Sequence, residues 1–295
     1  TVAVRAFGYT SFEQRGVVID ENRRTTLNAT LSLLPAGVIL GRVVDSQGAP
    51  LAARVIVEDT PVTITAQANT GVYSLALPPG DYRLRVEMRG HRIGRANVSV
   101  PTAGVAVSQD FTLVDAPTIL LVDGGAWYYA EAASYYQAAL DARDYLYDLY
   151  AVRSVYDGAP TLARLRSYDI VIWSSAKDSP RYVGADATLA DYLRQGGRLI
   201  ISGQDIAYWD GGGAGNFVAE YFRGFLNARF VADQANTQSV VGAGALVGLT
   251  WTLDGPDSAN NQAAPDVIGP VKPEASQTVA LYPSSRGAGL LVNRC

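Results

Sequence analysis

The chain has 295 residues, 48% of them hydrophobic and 18% charged, with a net charge of −4. That length holds about two domains, and the apolar fraction excludes a disordered chain. There is no basic block to meet a nucleic-acid backbone and no apolar run near the ~20 residues that span a bilayer, while a single cysteine, Cys295, rules out an internal disulfide and a cysteine-cluster metal site.

Of the 24 basic residues only Lys177 and Lys272 are lysine, an arginine bias expected of a GC-rich genome. Thr1 opens on a stretch that already reads as a strand, and no signal peptide precedes it. The chain is therefore expected to be cut from a longer polypeptide.

An internal repeat organises the first third. Val2-Ala-Val-Arg-Ala-Phe-Gly-Tyr9 matches Leu84-Arg-Val-Glu-Met-Arg-Gly-His91. Val17 and Ile19 then match Val98 and Val100, and Leu27, Leu31 and Leu33 match Val107, Phe111 and Leu113. In this alignment the spacing drifts by two residues, which loop gaps absorb. Residues 1–35 read as the tail of one copy and 36–116 as a complete second copy.

The complete copy alternates like an antiparallel sandwich. Strands are expected at Val38 to Val44, Arg54 to Val57, Gly71 to Leu77, Tyr82 to Met88, Ala96 to Val100 and Val105 to Leu113. Pro78-Pro-Gly-Asp81 supplies a turn. In the third strand Tyr73, Leu75 and Leu77 alternate against Val72, Ser74 and Ala76. Gly41, Val43, Asp45, Gly48, Pro50, Leu51, Arg54, Val55, Gly71, Tyr73, Leu77, Pro78, Gly80, Tyr82 and Gly90 form a pattern that resembles the carboxypeptidase regulatory-like domain. That resemblance implies a transthyretin-like β-sandwich of accessory character, without catalytic residues.

From residue 117 the period changes. Thr118-Ile-Leu-Leu-Val122 reads as a buried parallel strand. A helix is expected from Glu131 to Tyr150 on the stripe Ala132, Tyr135, Tyr136, Ala139, Leu140, Leu146 and Leu149. A strand over Val152 to Tyr156, a short helix over Thr161 to Leu165 and a strand over Asp169 to Trp173 follow. A helix over Ala187 to Arg194, stopped by Gly196-Gly197, leads to a strand over Arg198 to Ser202. The alternation implies a three-layer α/β domain over 117–295 with a mostly parallel sheet. The run Gly289 to Val292 sits so near the end that a last strand is expected to be missing.

Residues 118–209 are similar to glutamine amidotransferase-like, flavodoxin-like domains. The joined pair resembles the region downstream of the catalytic domain in bacterial secreted subtilisin-like peptidases. The resemblance implies a secreted or cell-surface protein whose parent is a serine endopeptidase, and whose partners are other domains of the same polypeptide.

Ligands of such folds sit outside the carboxyl ends of the strands. The candidate cleft is therefore Asp123, Gly124, Gly125, Ser174, Ser175, Gly203, Gln204 and Asp205. An amidotransferase needs a nucleophilic cysteine on an elbow with a histidine beside it. The elbow here, Ser202-Gly-Gln-Asp205, has no cysteine, and the one histidine, His91, lies in the sandwich at the place of Tyr9. No catalytic residue is expected. Asp123 and Asp205 are candidates for convergence at the sheet edge. Cap roles account for both without chemistry. No cofactor is called for, although calcium has room there or near Asp254, Asp257 and Asp266.

Gly211-Gly-Gly-Ala-Gly215 lacks the Lys-Ser/Thr of a phosphate loop and reads as a flexible surface loop. The 17 tyrosines include Trp127-Tyr-Tyr129 and Tyr208-Trp209, aromatics placed after strand ends. Three functions follow as expectations. The first is a non-catalytic structural, spacer or binding region of a secreted subtilisin-like peptidase. The second is a carbohydrate- or peptide-binding cell-surface module. The third is an independent hydrolase of amidotransferase-like fold using Asp123, Ser175 or Asp205.

Overall fold

A computed structural model describes residues 1–128, 132–156, 158–255, 263–283 and 287–293. Cys295, Tyr129, Glu131 and Asp257 lie outside the described residues. The chain divides into two compact units, Thr1–Ala116 with Asp144–Leu146, and Pro117–Arg143 with Tyr147–Cys295. Among the described residues no helix is long and apolar enough to cross a membrane.

The first unit opens with a hairpin, β1 (Val2–Val4) against β2 (Phe12–Gln14). Two sheets follow it. β3 (Gly37–Asp45), β6 (Val72–Leu77), β9 (Ala106–Ser108) and β10 (Phe111–Leu113) make one, with β3 antiparallel to β6 and parallel to both β9 and β10. β4 (Arg54–Val57), β5 (Thr63–Thr65), β7 (Gly80–Glu87) and β8 (Gly94–Val100) make the other, antiparallel throughout in the order β5-β4-β7-β8. The side-chain period of two settles which residues are inside. Tyr73, Leu75 and Leu77 are buried while Val72, Ser74 and Ala76 are exposed. With Ile39, Val43, Val55, Val57, Leu84, Val86, Val98, Phe111 and Leu113 they form one core. Each fully buried aliphatic side chain there contributes about 1.5–3 kcal/mol.

The repeat is visible in the hydrogen bonding. Val2 faces Gln14 as Leu84 faces Ala96, and Val4 faces Phe12 as Val86 faces Gly94. Leu34 N–H donates to Gly8 O as Ala116 N–H donates to Gly90 O, both at 2.8 Å. Tyr9 bridges Leu33 as His91 bridges Asp115. The spacing is therefore a constant 82 residues, from Val2 to Leu84 and from Leu34 to Ala116. This corrects the drifting alignment: Leu31 stands for Leu113, and Leu33 for Asp115. Backbone pairing, not the apolar run, sets the register.

The second unit contains a four-stranded sheet of β11 (Ile119–Asp123), β12 (Tyr147–Ala151), β13 (Ile170–Ser174) and β14 (Leu199–Ser202). All its pairs are parallel, in the order β12-β11-β13-β14. β11 is buried along its whole length, as a central strand covered on both faces must be. The helices are α1 (Ala133–Asp141), α2 (Leu162–Leu165), α3 (Asp186–Arg194) and α4 (Ile206–Asp210). Leu165, Leu189, Ala190 and Leu193 pack with Leu120, Val122, Val171 and Trp173 in one core.

The expected helix to Tyr150 is corrected, since α1 ends at Asp141 and Tyr147–Ala151 is a strand. Asp144 takes φ +55°, a left-handed conformation no helix continues through. The strand expected at Val152 to Tyr156 therefore ends before it starts. α3 stops as the glycines require: Gly196 at φ +82° donates to Leu193 O, and Gly197 N–H donates to Tyr192 O. Thr161 caps α2 by accepting from Arg164 N–H at 3.3 Å. Thr161→Ala should cost about 1 kcal/mol, read as a lower chemical-denaturation midpoint at unchanged slope.

The expectation of a mostly parallel sheet holds only for these four strands. β15 (Ala228–Ala232), β16 (Ser239–Gly242), β17 (Thr250–Thr252), β18 (Val267–Pro270), β19 (Ser276–Leu281) and β20 (Ala288–Asn293) form a separate sheet, ordered β15-β18-β20-β19-β16-β17, with every pair antiparallel. The run at Gly289 to Val292 belongs to β20, an interior strand of that sheet. Val240, Val267, Ala280 and Tyr282 centre its own small core.

Candidate functional site: the strand-end cleft

The order β12-β11-β13-β14 reverses direction between β11 and β13, and a crevice forms at such a switch point. The turns leaving β11 and β13 meet there. Gly124 N–H donates to Ser174 O at 2.8 Å, and Ser175 N–H donates to Ser202 O at 2.8 Å, so three strand ends are laced together. Asp123 is buried, and its Oδ1 accepts from Gly125 N–H at 3.1 Å. Ser174 and Ser175 are buried, and Ser175 Oγ accepts from Trp173 Nε1–H at 3.0 Å.

Sequence reasoning missed the residue at the centre. Asp178, in the loop after β13, is buried. Its Oδ2 accepts from Trp127 Nε1–H at 3.1 Å, while Oδ1 has no hydrogen-bond partner. Burial pushes its carboxyl up to about 6, against the opposing effect of the nearby Trp127, Tyr128 and Ser175 groups. Tyr128 OH accepts from Lys177 N–H at 2.8 Å and fixes that loop, and burial pushes its phenol up to about 12. A signal existed: Asp178 lies just beyond a buried strand and two residues before Pro180, a position for a loop-borne strand-end acid.

Aromatic rings extend outward from Asp178. Trp127 stacks on Tyr182 with centroids 5.7 Å apart, Tyr182 meets Trp209 edge-on at 6.0 Å, and Trp209 meets Tyr208 at 5.0 Å. Tyr182 is 53% exposed and Trp209 36%. The row offers apolar faces to solvent beside a buried carboxylate, an arrangement suited to a sugar ring or a peptide side chain.

The remaining predicted residues, Gly203, Gln204 and Asp205, pack against the same turn and have further partners of their own. Gln204 is buried, and its Nε2 donates to both Asp205 carboxylate oxygens at 3.0 Å. Its Oε1 accepts from Ala264 N–H at 3.2 Å and from Ala263 N–H. Gly203 and Gln204 also line a largely apolar cavity of about 870 Å³ beside Leu199, Ile201 and Leu291. Asp205 is grouped with Asp233 and Asp266, and Asp123 is not one of the three. Of the residues considered for calcium, Asp254 is exposed and outside the group, and Asp266 is inside it.

The glycine-rich 211–215 segment is packed at Gly211 and Gly213, where a Cβ on Gly213 would meet Tyr208 Cα at 2.7 Å, and exposed at Ala214 and Gly215. His91 sits in the first unit with Nε2 3.3 Å from Asp115 Oδ1. Asp210, fully buried, accepts from Ser179 Oγ–H at 2.7 Å and Tyr221 OH at 2.6 Å, tying α4 to the segment after β13.

Residues 38–114 match the carboxypeptidase regulatory-like domain. No curated protein matches the chain significantly. Among solved structures, one similar chain belongs to a cohesin–X-dockerin complex from Acetivibrio cellulolyticus, 20% identical over 27% of this chain and 58% of that chain, TM-score 0.23. Another is 3-chlorocatechol 1,2-dioxygenase from Rhodococcus opacus 1CP, 13% identical over 28% and 61%, TM-score 0.23. A streptococcal ancillary pilin is 16% identical over 42% and 46%, TM-score 0.23. The chain spans less than two thirds of the length of each.

Proposed function

We propose that this chain is a non-catalytic accessory region of a secreted subtilisin-like peptidase, in which a regulatory-like sandwich precedes a flavodoxin-like, amidotransferase-like binding domain. The observation that carries the reading is the regulatory-like match over residues 38–114, an accessory class of domain. The strand order β12-β11-β13-β14 supports the flavodoxin-like assignment of the second unit. Ser175 Oγ accepts from the Trp173 indole and lies beside the Asp178 carboxyl, and the one histidine of the chain is engaged by Asp115 in the other unit. Neither arrangement is a serine–histidine pair.

Intact-mass and peptide mapping of the native protein from its producing cells tests the parent. The expected product is a larger secreted polypeptide carrying an upstream Asp, His and Ser protease domain. A mature protein without such a domain sinks the reading. The aromatic row favours a second reading, a carbohydrate- or peptide-binding surface module. Saturable quenching of tryptophan fluorescence by an oligosaccharide or peptide, lost in Trp209→Ala, is the expected signature of that module. The raised Asp178 carboxyl is what favours an independent hydrolase, and turnover of peptide or amide substrates by the isolated chain is the observation that would establish one.

A further inference from the structure

We propose that Asp205, Asp233 and Asp266 form a binding site for a hard divalent cation, calcium foremost, where the turn after β14 meets the antiparallel sheet. The three carboxylates come from separate segments, and each offers an oxygen within 4.8 Å of the others. Two oxygens up to that separation can touch one calcium ion, since its ligand distances are about 2.4 Å, and three can where they lie somewhat closer together.

Proximity of acids alone would not make a site. The second observation is the Asp266 side chain. The residue is only 8% exposed, its Oδ2 accepts from Tyr208 N–H at 2.8 Å, and its Oδ1 is buried with no hydrogen-bond partner. Buried carboxylate oxygens are nearly always hydrogen-bonded or bound to an ion. Among the described residues no salt bridge reaches any of the three acids.

The frame around them is built. Gln204 Nε2 holds both oxygens of Asp205, and Asp266 N–H donates to Gln204 O at 3.1 Å, so two of the acids are fixed through one residue. Asp233 is exposed and leaves an entry from solvent. An all-oxygen donor set selects calcium, magnesium or manganese over zinc or copper, and calcium tolerates an irregular cage completed by water.

Isothermal titration of the whole chain with calcium chloride, and separately with magnesium chloride, at pH 7.5 tests the proposal. The expected result is saturable 1:1 calcium binding, with magnesium weaker. Asp233→Asn, an exposed substitution that leaves the fold intact by circular dichroism, should weaken calcium at least ~10-fold, as should Asp205→Asn. Folded protein that takes up no calcium at about 1 mM overturns the site, and so does calcium binding that neither substitution alters.

Discussion

Gly203→Ala should be among the most damaging single substitutions in the second unit. A Cβ at Gly203 would stand 2.1 Å from the carbonyl oxygen of Ser175 and 3.0 Å from the Ile206 side chain. The oxygen cannot step aside. Ser175 N–H is bonded to Ser202 O at 2.8 Å, and Gln204 N–H is bonded to Ala176 O at 3.2 Å, so the two turns are pinned on both sides of the glycine. Making room means parting the ends of β13 and β14 and breaking one of those bonds. We expect a loss of about 3 kcal/mol or more. For a unit of this size that is a fall of roughly 6–12 °C in the melting midpoint. Tryptophan fluorescence should report it, because Trp173 lies fully buried on β13. A midpoint within about 1 °C of the parent would mean that the turns are not packed as described.

Asp178→Asn should act in the opposite direction. In the folded chain the Asp178 carboxyl titrates near 6, against an ordinary value of 3.8, because burial disfavours its charge. The folded state therefore holds a proton that the unfolded state has released between those two values. Stability is fully present below 3.8, falls as pH rises through the window, and is lost above about 6. The gap corresponds to about 3 kcal/mol at neutral pH. Asparagine keeps an acceptor for Trp127 Nε1–H and carries no charge to desolvate. Denaturant unfolding at pH 4, 5, 6 and 7.5 should show the variant gaining on the parent as pH rises, by up to about 3 kcal/mol. A difference that stays flat with pH would show that Asp178 does not titrate in the window. A gain in stability matched by a loss of ligand quenching would mark Asp178 as a residue kept for binding at the expense of stability.

Much of the fold was legible because two local patterns are strong. The period of two in 72–77 identifies Tyr73, Leu75 and Leu77 as the inner face without reference to anything outside the strand. The unbroken apolar runs of β11 and β13, with Gly196 and Gly197 ending α3, likewise announce a buried parallel sheet. Residues 145–151 were not legible in this way. Tyr and Leu there fit a helical stripe and an edge strand equally well, and the left-handed backbone at Asp144 decided between them.

The chemistry divides along the same line. Composition alone determined that the chain has one histidine and one cysteine, and that no basic block is available for nucleic acid. Strand-end position alone picked out Asp123, Ser175 and Gln204. Only the tertiary structure could say what each touches, because contacts such as Trp127 with Asp178, or Asp205 with Asp233 and Asp266, join segments tens of residues apart. A carboxylate in sequence is one more polar residue. Its burial, its unpaired oxygen and its displaced titration come from neighbours that only the folded chain supplies.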